Sequence, residues 1–267
     1  AVNKLRIDDL AYLICRGGWP FACGLEAEAA LSQAFDYVDA VIKKDISRVD
    51  GVNRNSTTAR LLLRSYARNQ GSQATIGTIV ADMATNDENE ISVKTAGGYM
   101  EALRKIFVIE DSEAWNPNLR SKTAVRTANT RYFIDPSIGT AVLGLGPNDL
   151  LKDLNTMGLF FETLCVRDLR VFADAIAGEV YHFRDRSGLE CDAVVHLRNG
   201  KYGLVEIKLG GDRLINEGAE NLQKLAEKIT TDKMNEPSFM MVLVGTGDYA
   251  YRRTDGVYVV PIGCLKD

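Results

Sequence analysis

Three residues whose types and spacing could do chemistry lie within one short stretch: Asp192, Glu206 and Lys208. Two apolar runs carry them. Val194, Val195 and Leu197 form the first, Leu204, Val205 and Ile207 the second, and Arg198-Asn199-Gly200 stands between. Asn-Gly between such runs is a hairpin signal. Carboxylates are poor strand residues and costly to bury unpaired. Two of them on one hairpin, with a lysine two residues after the second, point to a site for a hard cation. Register decides whether that site exists. A two-residue turn on Asn199-Gly200 puts Asp192 and Glu206 on opposite faces, because side chains alternate along a strand. A type I turn on Arg198-Asn199, with Gly200 left-handed in a bulge, sets Leu197 against Lys201 and Asp192 against Glu206. The bulged turn is the expected one, and Gly200 permits it without steric cost.

The bounds on the chain follow from its composition. Its 267 residues are too many for one small core, so two or three domains are expected. A net charge of −4 excludes a generally basic coat and leaves only local patches for nucleic acid. Five cysteines, at 15, 23, 165, 191 and 264, include no Cys-x-x-Cys. They fit reduced thiols in a cytoplasmic protein and give no zinc site. No apolar run reaches membrane-spanning length, so no membrane contact is expected.

The elements that must position the site come in order. Residues 1–55 read as a helical segment, with one helix through Cys15 and a second from about Leu25 to Ile46 that buries Leu31, Phe35, Val38 and Ile42. Residues 56–147 read as a winged helix-turn-helix. It has a helix capped at Ser56–Thr58, a short one around Ile76–Met83, and a third after Ser92 with Ala96, Met100, Leu103 and Phe107 on one face. Trp115 to Phe133 holds Arg120, Lys122, Arg126 and Arg131 and no acid, and reads as a basic wing for the phosphates of duplex DNA. A module for protein contact alone is the alternative. Asp135-Pro136 starts another helix that ends at Gly144-Leu-Gly-Pro147. Residues 148–267 read as a mixed-sheet α/β domain: a long helix from Thr156 to Gly178 containing Glu162, three strands, a helix near Ile215–Ile229, and further strands. The fold class is therefore α/β, or α+β.

The helical Glu162, the strand Asp192 and Glu206-Ile207-Lys208 resemble the core of PD-(D/E)XK nucleases. More broadly the chain resembles the C-terminal part of predicted bacterial and archaeal AAA-type ATPases, which end in a winged helix and a nuclease-like domain of unknown function. The resembling pieces are Arg16-Gly-Gly-Trp-Pro20, Lys44-Asp-Ile-Ser-Arg48, Arg131-Tyr-Phe-Ile-Asp-Pro136, Gly158-Leu-Phe-Phe-Glu162, Gly188-Leu-Glu-Cys-Asp192 and Val205-Glu-Ile-Lys208. Cys191 departs from the motif, which has proline there. No G-x-x-x-x-G-K-[ST] occurs, so no ATP site of the P-loop kind is expected. The resemblance implies an ATPase core preceding Ala1, of which this chain is the C-terminal fragment and with which it would partner.

The resemblance also implies roles. Asp192 and Glu206 would hold Mg²⁺ or Mn²⁺, with the Ile207 carbonyl and Glu162 as further ligands. Lys208 would position water or offset phosphate charge in phosphodiester hydrolysis. All four side chains are expected to converge on one sheet face. Two alternatives stand beside the nuclease: a non-catalytic arm that binds DNA or a partner and regulates the ATPase, and a module for assembly alone. His182 and His196 have no evident nucleophile beside them.

Overall fold

The computed structural model describes residues 2–84, 91–117, 128–229 and 234–266. Ten α-helices and six strands are formed among these residues. The helices are α1 (Ile7–Arg16), α2 (Ala27–Ala40), α3 (Ile46–Arg48), α4 (Ser56–Arg68), α5 (Ile76–Ala84), α6 (Val93–Lys105), α7 (Pro136–Leu143), α8 (Pro147–Lys152), α9 (Leu154–Ala175) and α10 (Asp212–Ile229). The strands are β1 (Gly178–Arg184), β2 (Glu190–Leu197), β3 (Tyr202–Lys208), β4 (Phe239–Val244), β5 (Tyr251–Arg252) and β6 (Tyr258–Pro261). The class is mixed α/β, as expected. The chain divides into two compact units, one of residues 11–111 and 130–163, the other of residues 1–10, 112–129 and 164–267.

The first unit is helical. Val38 and Ile46 share one core with Leu62, Leu63, Tyr66, Met100, Phe133 and Ile138. Residue 55 thus does not separate two cores. The expected long second helix is interrupted: α2 passes into a π-helical turn, Val41–Asp45, before α3. Its buried stripe is Ala30, Ala34, Val38 and Val41, and Phe35 is turned outward and 44% exposed. Small alanines suit a close helix contact where a phenylalanine would not fit. The helices expected over 56–107 form, with Asn55, not Ser56, capping α4 by accepting from the Thr58 amide. Phe107 does not lie on the buried face of α6. The helix has already ended, and Phe107 takes a left-handed φ of 56° with 72% exposure. Helix α8 was not foreseen, because Gly146-Pro147 reads equally as a break.

Polar bonds between the pieces named in the sequence tie this unit together. Asp135 caps α7 through the Ser137 amide and also accepts from the Gly18 amide at 2.8 Å. Trp19 Nε1 donates to Ser137 Oγ at 2.8 Å. The Gly-Gly-Trp-Pro and Asp-Pro pieces are therefore two halves of one junction.

The second unit is a sheet of order β1-β2-β3-β4-β6-β5. β1, β2 and β3 run antiparallel in sequence, and α10 carries the chain from β3 to β4, which lie parallel. The core holds Val194, Leu204, Ile215, Leu222, Leu225, Val242 and Val259. The first part of the expected wing belongs here instead. Ala114 bridges His182 on β1, and Trp115 packs on Tyr202 with ring centroids 5.0 Å apart. Arg120, Lys122 and Arg126 lie outside the described residues.

The β2–β3 turn is the bulged one. The Leu197 amide donates to the Lys201 carbonyl at 2.8 Å, the Gly200 amide donates to the Leu197 carbonyl at 2.9 Å, and Gly200 has φ 83°. Nothing lies within 4 Å of where a Gly200 side chain would start, so the backbone angle alone demands glycine. Gly200→Ala is expected to cost about 1 kcal/mol and Gly200→Asn less. Denaturation midpoints check this, and an alanine variant as stable as the parent would remove the turn as the determinant of register.

Candidate functional site

The hairpin register places the acids. Ala193 pairs with Val205 and His196 with Tyr202, so Asp192 stands opposite Glu206. The backbone ladder stops at Ala193–Val205. Beyond it the Ile207 amide donates to Asp192 Oδ2 at 2.7 Å, a side chain ending the ladder in place of a strand.

Glu206 and Lys208 follow Leu204 on the face that packs under α10. Gly218 makes the helix fit there: a side chain at that position would begin 3.4 Å from Glu206 Cβ and 3.3 Å from Val242. One helical turn on, Asn221 Nδ2 donates to Glu206 Oε1 and to the Glu190 carbonyl, both at 2.7 Å. Lys208 Nζ lies 2.7 Å from Glu206 Oε2 and 3.4 Å from Asp192 Oδ2. Asp192, Glu206, Lys208 and Asn221 thus make one cluster, with the Glu206 side chain 5% exposed and the other acid 21%.

Two carboxylates face a single ammonium in this cluster. Burial, and after it the Asp192 charge, push the Glu206 carboxyl up while Lys208 and Asn221 pull it back, and the balance lifts it from 4.5 to about 7. Burial also raises the thiol of Cys191, beside the acids, which donates to the carbonyls of Ala193 and Val205 at 3.3 Å. That thiol is held in its neutral form and is no nucleophile.

Two further expected site residues belong to the helical unit. Glu162 belongs to the helical unit, where its Oε1 accepts from the Tyr132 hydroxyl at 2.5 Å. Arg131 is buried there. Its Nη1 meets Asp111 Oδ2 at 2.5 Å and its Nε donates to the Ala74 carbonyl, so it is not displayed for phosphate. Asp111 also takes Arg104 at 2.7 Å, and the Tyr66 hydroxyl at 2.6 Å. Among the described residues no three His, Cys, Asp or Glu side chains gather as a metal-holding group. His182 is buried with Nδ1 at 3.0 Å from the Ser112 carbonyl, and burial lowers its pKa. Asn221 was missed from sequence. Its signal is a polar residue beside the apolar stripe Ile215, Leu222, Leu225 and Ile229, three positions after the stripe's only glycine, Gly218.

The raised Glu206 carboxyl has a consequence for stability. Its pKa is higher folded than unfolded, so the fold holds the extra proton between about 4.5 and about 7. Stability from this group is complete below that window and is lost as pH rises through 7, by an amount on the order of 3 kcal/mol at most. Glu206→Gln removes the titration and leaves Lys208 with Asp192. The variant is expected to melt higher than the parent at pH 8 and level with it at pH 5. Thermal scans at both values check this, and a variant less stable at pH 8 would contradict it.

Comparisons with known proteins give two family matches. Residues 7–149 match a domain of unknown function, DUF8612, and residues 157–265 match another, DUF4143. No curated protein matches the chain. No solved structure matches it either. The first match spans more than half of the sequence, and the chain belongs to the family of the domain of unknown function DUF8612.

Proposed function

We propose that this chain is a C-terminal module of an AAA-type ATPase, and that its sheet unit is a nuclease-like domain for a divalent cation and phosphodiester substrate. The ATPase context is supported by the match over 157–265, since domains of that kind typically follow AAA ATPase domains. The chemistry rests on one observation, the surplus acid. A structural ion pair needs one carboxylate for Lys208, yet two are held against it, one of them buried at a cost. A second carboxylate there is wasteful for stability and useful for a cation.

The donor set suits a hard cation. Asp192 and Glu206 would hold Mg²⁺ or Mn²⁺ through oxygen, with the Ile207 carbonyl as a further donor. Such an ion, when bound, supplies Lewis acidity at a phosphate oxygen and lowers the pKa of water. Lys208 would then leave Glu206 and face the phosphate, where its ammonium offsets developing charge. Asn221 keeps Glu206 turned toward Asp192 while its proton is lost.

The expected measurement is calorimetric titration with Mn²⁺. Affinity should rise with pH through about 7 as Glu206 gives up its proton. Asp192→Asn should weaken binding at least about tenfold, and the parent should nick DNA only with metal. Absence of heat at pH 8 would sink the cation site. Metal binding without cleavage by the ATPase-linked protein would favour the second reading, a regulatory arm. One observation already leans that way: Lys208 engages both acids directly, as in an inert sheet.

The helical unit is proposed as a winged-helix module, and the basic segment that follows α6 in sequence is proposed to contact duplex DNA. Arg120, Lys122 and Arg126 carry this, and Arg131 does not, being engaged by Asp111. Changing the three to alanine should lower duplex affinity and flatten its salt dependence by roughly three counterions' worth of slope. Unchanged affinity at low salt would show that the module contacts proteins only.

A further inference from the structure

Lys208 Nζ stands between two carboxylate oxygens, Glu206 Oε2 at 2.7 Å and Asp192 Oδ2 at 3.4 Å. A hard cation shared by both acids would take oxygens of this kind. The chain therefore fills the position with a charge of its own.

The acids do not need Lys208 to hold their places. Asn221 Nδ2 donates to the other oxygen of Glu206, Oε1, at 2.7 Å, and the Ile207 amide donates to Asp192 Oδ2 at 2.7 Å. Both donors are fixed, one on α10 and one in the backbone of β3. Lys208 is the freer partner. Its backbone is pinned at the end of β3, where it pairs with Val244 of β4, while its side chain is 25% exposed. Its flexible stem lets the ammonium swing without moving the strand. Withdrawing it leaves two held carboxylates short of positive charge, and such a pair draws in another cation.

We propose that Lys208 is an internal latch on the cation site, closed in the absence of substrate and opened when its ammonium transfers to a phosphodiester. The inference rests on the cation reading of the cluster and adds the order of its assembly. Without substrate, a divalent ion must displace an ammonium that already satisfies both acids and that repels it. A phosphate group gives Lys208 a new acceptor and frees the acids. Substrate and cation then bind cooperatively, each tightening the other by the same factor.

Calorimetric titration of the whole chain with Mn²⁺ at pH 8 tests this. It is run with and without a short DNA duplex whose phosphorothioate linkages resist cleavage. Without duplex, Lys208→Met should bind Mn²⁺ about tenfold tighter than the parent, and Lys208→Arg, which keeps the cation, should stay near the parent. The duplex should tighten Mn²⁺ binding to the parent by about tenfold and to Lys208→Met by much less. Circular dichroism confirms that each variant is folded before it is scored. On the parent itself, nitrogen-15 NMR of the lysine ammonium groups reads the latch directly, with Lys208 assigned by its loss in Lys208→Arg. Its signal should shift when duplex and Mg²⁺ are added together. A Lys208→Met chain that binds Mn²⁺ no tighter than the parent, a duplex that tightens both equally, or an unmoved Lys208 signal would each overturn the latch and leave the cation site standing. No Mn²⁺ binding by parent or variant would remove the site and the latch together.

Discussion

The cluster depends on the register of one hairpin. A strand alternates its side chains, so a shift of one residue between β2 and β3 would send Asp192 and Glu206 to opposite faces. The left-handed angle at Gly200 prevents that shift by taking up one residue in the turn. With the register set, Lys208 follows on the same side by the two-residue period, and Gly218 lets α10 close over Glu206. Burial then raises the Glu206 carboxyl, and the neighbouring Asp192 raises it further. The acid chemistry is thus set by backbone geometry at the turn, before any rotamer of the acids themselves.

The helical unit is built on a different principle. Its helices are short, and polar bonds between distant segments join them. Asp111 collects Arg104, Arg131 and Tyr66, and Asp135 joins the start of α7 to the turn after α1. Such bonds are strong when charged and shielded from water. They account for several of the sequence pieces that suggested a family, and they make those pieces structural. Lys44–Arg48 is different, because its Asp45 and Arg48 line a surface cleft.

Much of the fold was legible in the sequence where local signals were strong. The hairpin turn, the Asp135-Pro136 helix start and the helix before β4 are each written in a few residues with a definite mechanism. What failed was tertiary. Phe35 and Phe107 share the spacing of core residues, but packing chose alanines over the first, and the helix ended before the second. Arg131 looked like a wing cation because charge alone does not reveal a buried partner, here Asp111. Trp115 looked like part of the same wing, yet its ring belongs to the sheet core. At the site, Asp192, Glu206 and Lys208 were readable by parity. Asn221 was not, since a helical asparagine carries no sign of what lies beneath it.

The central claim is that Glu206 is a buried acid poised by a surplus neighbouring charge. Carbon-13 NMR of the glutamate side-chain carboxyls, assigned with Glu206→Gln, measures it directly through a pH titration. The account predicts a Glu206 midpoint near 7 without metal, moving down when Mg²⁺ is added. A midpoint at the ordinary glutamate value of 4.5, unmoved by Mg²⁺, would contradict both the geometry of the cluster and the function drawn from it.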